Sequence, residues 1–101
     1  MSPKKEILTS ELVVQNRSGI HARVSTMIVH RCKEFTSVVR LRNGNMVADC
    51  RSVLDLLSLG ASKGTVLKLE VAGADAAEAV RAITALFNAR FNEDDESHPQ
   101  T

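Results

Sequence analysis

Tryptophan and tyrosine are absent from this 101-residue chain, and phenylalanine occurs only as Phe35, Phe87 and Phe91. Such a chain offers no evident surface for stacking nucleic-acid bases, and its core has to be built from Leu, Val, Ile, Ala and Met. An excess of one charge is lacking too. A formal net charge of +1 gives no general attraction to polyanions or to a membrane surface, so a nucleic-acid-binding α/β plait is disfavoured. Cysteine is limited to Cys32 and Cys50, with neither a CxxC pair nor a Cys/His cluster beside them, which points to two reduced, partly buried thiols. His30 and His98 have no companions at metal-ligand spacing and read as solvent histidines, so neither metal nor cofactor is expected. No apolar run approaches the roughly 20 residues of a membrane span, and nothing reads as a secretory leader. The expected compartment is the cytoplasm.

What is present suits an ordinary globule. With 44% hydrophobic and 25% charged residues, the chain can bury roughly two thirds of the surface it exposes when unfolded and needs no staples. Residues 1–6 read as a flexible N-terminus. Residues 93–101, with Asp94-Asp95-Glu96 followed by Pro99, read as a disordered acidic tail, leaving one domain over residues 7–92.

Periodicity within that domain gives the order β-α-β-β-α-β-α. A first strand runs to about Gln15 and breaks at Gly19. Residues 22–35 carry Val24, Met27, Ile28, Cys32 and Phe35 at helical spacing. Residues 37–42 and 46–48 form a hairpin around Asn43-Gly44-Asn45. Ser52 and Asp55 resemble a capping box with a shorter acid and start a two-turn helix that Gly60 ends. Residues 66–71 alternate as a last strand. Asp75 then caps a helix whose apolar stripe runs through Ala76, Ala79, Val80, Ile83, Leu86, Phe87 and Phe91. An α+β fold follows, an antiparallel sheet with the helices on one face.

The chemically suggestive segment is Asn16-Arg17-Ser18-Gly19-Ile20-His21-Ala22-Arg23-Val24-Ser25. It places an imidazole where the first-turn N–H groups of a helix have no backbone partners. Those amides and the helix dipole can hold phosphoryl oxygens, and the same dipole opposes a protonated ring. Arg23 adds a permanent cation whose geometry matches phosphate. A phosphorylatable histidine is the expectation, against the plainer reading of a surface or cap residue.

Three landmarks now appear in order: Gly19-Ile20-His21-Ala22-Arg23; Arg51-Ser52-Val53-Leu54 leading to Ser58-Leu59-Gly60-Ala61-Ser62-Lys63-Gly64; and Gly73-Ala74-Asp75. Over about residues 12–91 the chain resembles the HPr family, the histidine-containing phosphocarriers of the bacterial phosphoenolpyruvate phosphotransferase system. The ending Ala85-Leu86-Phe87-Asn88-Ala89-Arg90-Phe91-Asn92-Glu93-Asp94 is also similar to the nitrogen-branch member, NPr. The resemblance implies an open-faced sandwich of four antiparallel strands and three helices. It implies that His21 takes a phosphoryl group on Nδ1 from enzyme I and passes it to an enzyme IIA, in a sugar or nitrogen branch. The protein is then a carrier rather than an enzyme, and a monomer. Arg23 and Arg17 are expected to contact the phosphoryl group. The family usually has proline where this chain has Val24, which predicts a looser helix start.

Ser52 is interesting on the same grounds, because the matching serine is a kinase target in many bacteria. Here it is at least a helix cap. If an HPr kinase/phosphorylase acts on it, the protein becomes a regulatory adaptor for a transcription factor or kinase. Ile20, Val53, Leu54 and Leu57 are expected to form the apolar docking patch, with Leu56 and Leu59 facing inward.

Overall fold

A computed structural model describes residues 7–93. The elements are β1 (Ile7–Val13), α1 (Ala22–Cys32), β2 (Val38–Asn43), β3 (Met46–Asp49), α2 (Val53–Ser58), β4 (Val66–Ala72) and α3 (Ala76–Asn88), followed by a short turn at Arg90–Asn92. Strands lie in the order β1-β4-β2-β3, all antiparallel. The period-two pattern sets the register. Leu67, Leu69 and Val71 of β4 point into the core, opposite Leu12 of β1 and Leu41 and Val39 of β2. Val13, Val38, Val66 and Lys68 face solvent on the other side. The helices cover the inner face with Val24, Ile28, Cys32, Leu56, Ala79, Ile83 and Phe87. This is the expected four-stranded open-faced sandwich.

Several local expectations need correction. α1 stops at Cys32, not at residue 35, and a cation distant in sequence meets the carbonyls at and just beyond its end. Arg51 donates to Cys32 O at 3.4 Å, Phe35 O at 2.6 Å and Ser37 O at 3.0 Å, tying the helix end to β2. Asp75 occupies the first position before α3 but makes no cap hydrogen bond there. Its carboxylate accepts from the N–H groups of Thr36 and Ser37 at 2.9 and 3.0 Å and from the Ser37 hydroxyl at 2.5 Å. The bond from Ser37, joined by those from the backbone and opposed by burial, draws this carboxyl down to about 2. The capping box at Ser52 is half formed: Ser52 Oγ accepts from Asp55 N–H at 3.1 Å, while Asp55 Oδ2 accepts from Asp49 N–H.

Cys32 and Cys50 are completely buried rather than partly so. Their mutual hydrogen bond lowers Cys32 and, together with burial, raises Cys50.

The largest departure is at the end of α3. The stripe predicts a helix to Phe91, but the helix ends at Asn88 and the chain doubles back through Arg90, Phe91 and Asn92 at φ of 54°, 53° and 57°. Left-handed backbone costs a residue with a Cβ about 1–2 kcal/mol. Phe91 offsets part of that by burying its ring completely, edge-on to Phe87 with centroids 4.8 Å apart.

Candidate functional site

Gly19 makes the entry to α1 possible. Its φ is +70°, and a Cβ there would lie 2.5 Å from Ala61 O and 2.9 Å from Ser62 Cα, so this turn tolerates no side chain. The next residue, Ile20, donates its N–H to Ala61 O at 3.0 Å and turns its side chain into the core, only 7% exposed. Ile20 is therefore a buried anchor beneath the site, contrary to its expected place on a docking surface.

That anchor delivers His21 to the N-cap of α1, at φ −107° and ψ −171°. Its side chain is 34% exposed, enough for a partner to reach it. Nδ1 accepts the backbone N–H of Arg23 at 3.2 Å. A nitrogen that accepts has no proton, so in the neutral ring the proton sits on Nε2, which lies 3.1 Å from Glu93 Oε2. The unprotonated lone pair is thus at Nδ1, held by the Arg23 N–H at the positive end of a helix.

Glu93 belongs to the segment the sequence assigns to a disordered tail, and the structure corrects that reading. Its Oε1 accepts the Ser18 N–H at 3.0 Å and the Asn16 side-chain amide at 3.3 Å. Its Oε2 lies 3.6 Å from the Arg23 guanidinium as well as facing His21. Burial works to raise this carboxyl, yet the bonds from Ser18, His21 and Asn16 outweigh it and hold the group down at about 2. Residues 94–101 of the expected tail, like residues 1–6 and His98, lie outside the described residues.

Asn16 was missed by sequence reasoning. It is buried and also donates to Gly19 O at 2.8 Å, so one amide braces both the glycine turn and Glu93. Arg23 lies at the site: half exposed, it donates to Phe91 O at 3.2 Å and lies 3.1 Å from Met27 Sδ. Arg17 is on the surface of the entry loop and makes no ion pair among the described residues. Val24 is completely buried in the core, a packing role that no N–H argument discloses.

Ser52 caps α2. On that helix Leu54 is 76% exposed, Leu57 is 39% exposed and Val53 is half-buried, whereas Leu56 and Leu59 point inward. α2 packs directly on α1, the helix that His21 opens.

Residues 8–89 match the family model described as the PTS HPr component phosphorylation site. The chain belongs to the HPr family. It is 38% identical over 87 residues to the phosphocarrier protein HPr of Neisseria meningitidis, covering 86% of this chain and 98% of that one. It is also 38% identical over 82 residues to the phosphocarrier protein NPr of Klebsiella oxytoca, covering 80% and 91%. The crystal structure of HPr-C-His from Thermoanaerobacter tengcongensis superposes with a TM-score of 0.82 at 30% identity, covering 86% and 98%. As an HPr-family member the protein is a phosphocarrier of the phosphotransferase system rather than a catalyst. The Arg90–Asn92 turn and Glu93 follow the segment that the family model matches.

Proposed function

We propose that this HPr-family protein carries a phosphoryl group on Nδ1 of His21, taken from enzyme I after its charging by phosphoenolpyruvate and given to a histidine of an enzyme IIA. The observation that carries the reading is the ring itself: one third exposed, at a helix N-cap, with Nδ1 accepting and Nε2 facing a carboxylate. Transfer of this kind needs in-line placement and neutralised oxygens more than covalent chemistry. Arg23 supplies one cation, Arg17 a second from the loop, and the first-turn N–H groups supply dipoles. Leu54, Leu57 and Val53 form the apolar edge on which enzyme I and the enzyme IIA dock in turn.

Incubation with enzyme I and phosphoenolpyruvate tests this. One acid-labile phosphoryl group per chain is expected, and none in His21→Ala. Label retained by that variant would contradict the proposal. The enzyme IIA that discharges the labelled protein assigns the sugar or the nitrogen branch. The carrier acts as a monomer in the cytoplasm, so sedimentation should give a mass near 11.0 kDa.

A second reading has one observation in its favour: Ser52 stands at the start of α2, beside the most exposed leucine of the chain. A phosphate there would add two negative charges to the docking edge and convert the carrier into an adaptor. Acid-stable phosphate on Ser52 in the presence of an HPr kinase/phosphorylase and ATP supports it. Its absence under those conditions removes it.

A further inference from the structure

Glu93 comes from outside the matched segment and makes four contacts at one site: the His21 ring, the Arg23 guanidinium, the Ser18 N–H and the Asn16 amide. We propose that Glu93 is a positioning residue for phosphoryl transfer at His21. It accepts the Nε2 proton in a hydrogen bond, keeps the lone pair on Nδ1, and balances the charge the ring gains when the N–P bond forms. The inference rests on the His21 reading above and deepens it.

An unrestrained neutral imidazole exchanges its proton between the two nitrogens. Here Nδ1 faces a donor and Nε2 faces an acceptor that cannot donate, so only one tautomer satisfies both contacts. Transfer from that tautomer balances without moving a proton. The Nδ1 lone pair forms a bond to phosphorus, and the bond between phosphorus and the donor atom of enzyme I breaks, with its electron pair returning to that atom. The His21 ring keeps its Nε2 proton and becomes cationic, while the transferred group keeps its negative oxygens. Glu93 Oε2 already faces that cation at 3.1 Å, and its side chain is only 14% exposed, so water screens the interaction weakly. A carboxylate that orients a histidine and steadies its cationic form plays the same part in hydrolase triads.

The neighbouring contacts permit the exchange. Arg23 Nη2 is 3.6 Å from Glu93 Oε2, beyond a normal hydrogen bond, so turning toward phosphoryl oxygens costs the guanidinium its Nη1 contacts to Phe91 O and Met27 Sδ but leaves the bond from Glu93 to the ring closed. The Arg23 N–H, released by Nδ1 when that nitrogen bonds phosphorus, becomes available to one of the same oxygens.

Two variants separate positioning from scaffolding. Glu93→Gln leaves an oxygen to accept the Nε2 proton but no charge; Glu93→Ala removes both. Nitrogen-15 NMR of the neutral ring should show the Nε2–H tautomer in the wild type and in Glu93→Gln, and a raised share of Nδ1–H in Glu93→Ala. With enzyme I and phosphoenolpyruvate, Glu93→Gln should lower kcat about tenfold or more, the worth of a hydrogen bond to a charged group, and leave KM for the carrier little changed. A Glu93→Ala protein with the wild-type tautomer and wild-type kcat overturns the inference, and so does a Glu93→Gln effect expressed wholly in KM. A wild type that accepts no phosphoryl group overturns the His21 reading instead, and the tautomer measurement still decides what Glu93 does to the ring.

Discussion

Nε2 of His21 and Oε2 of Glu93 meet at 3.1 Å although 72 positions separate the two residues. The contact joins the start of α1 to the end of the described chain. It exists because α3 ends early and residues 90–92 reverse the backbone, with the buried Phe91 ring as the anchor.

Removing that anchor should therefore act on both stability and the site. Phe91→Ala vacates a fully buried position beside Phe87, and a loss of about 3–5 kcal/mol is expected from urea denaturation. In the folded protein the His21 tautomer should drift toward that of Glu93→Ala, because the left-handed turn loses the buried ring that anchors it. A destabilised variant with an undisturbed ring would separate the turn from the site.

Acid should weaken the fold through two carboxylates. Asp75 and Glu93 are each held at about 2, below their ordinary values of 3.8 and 4.5. A carboxyl depressed in the folded state contributes fully above its unfolded value and loses that contribution as pH falls through the folded one. Stability measured by urea melts should thus fall from about pH 4.5 toward pH 2. Asp75→Asn should be less stable at neutral pH and flatter over this interval. An unchanged slope would show that the bonds from Ser37 and Thr36 persist with the acid protonated.

Gly19→Ala places a methyl group against Ala61 O and Ser62 Cα at a positive φ. A loss of more than about 1 kcal/mol is expected from that conflict alone. Because Ile20 hangs on the same carbonyl, kcat for phosphorylation should fall as well. Chemical denaturation and the enzyme I assay check the two effects separately.

Leu54→Asp addresses docking. With its side chain 76% exposed, the change should move stability by no more than about 0.5 kcal/mol. KM for enzyme I should rise while kcat holds, since the aspartate loses apolar contact at the edge without touching His21. A wild-type KM would place the docking surface elsewhere.

The sheet and the histidine were readable because each rests on a local rule. Leu67, Leu69 and Val71 alternate with Lys68 and Glu70, and Gly19 followed by an amphipathic stretch places His21 at a helix start. Phe91 misled for a physical reason: four residues after Phe87, it satisfies the helical period, yet it reaches the same ring by reversing the backbone. Ordinary residues rarely adopt positive φ, so Arg90 and Phe91 gave no sign of a turn. Glu93 was hidden by the acidic run that follows it, which reads as a solvated tail. Asp75 and Arg51 show the same limit, for both bind backbone groups far away in sequence, where no spacing rule applies.

The most direct test of the central claim is to phosphorylate nitrogen-15-labelled protein with enzyme I and phosphoenolpyruvate and read which nitrogen couples to phosphorus. Coupling at Nδ1 of His21, with the proton kept on Nε2, is predicted. Coupling at Nε2, the nitrogen that faces Glu93, or at any other residue would contradict it.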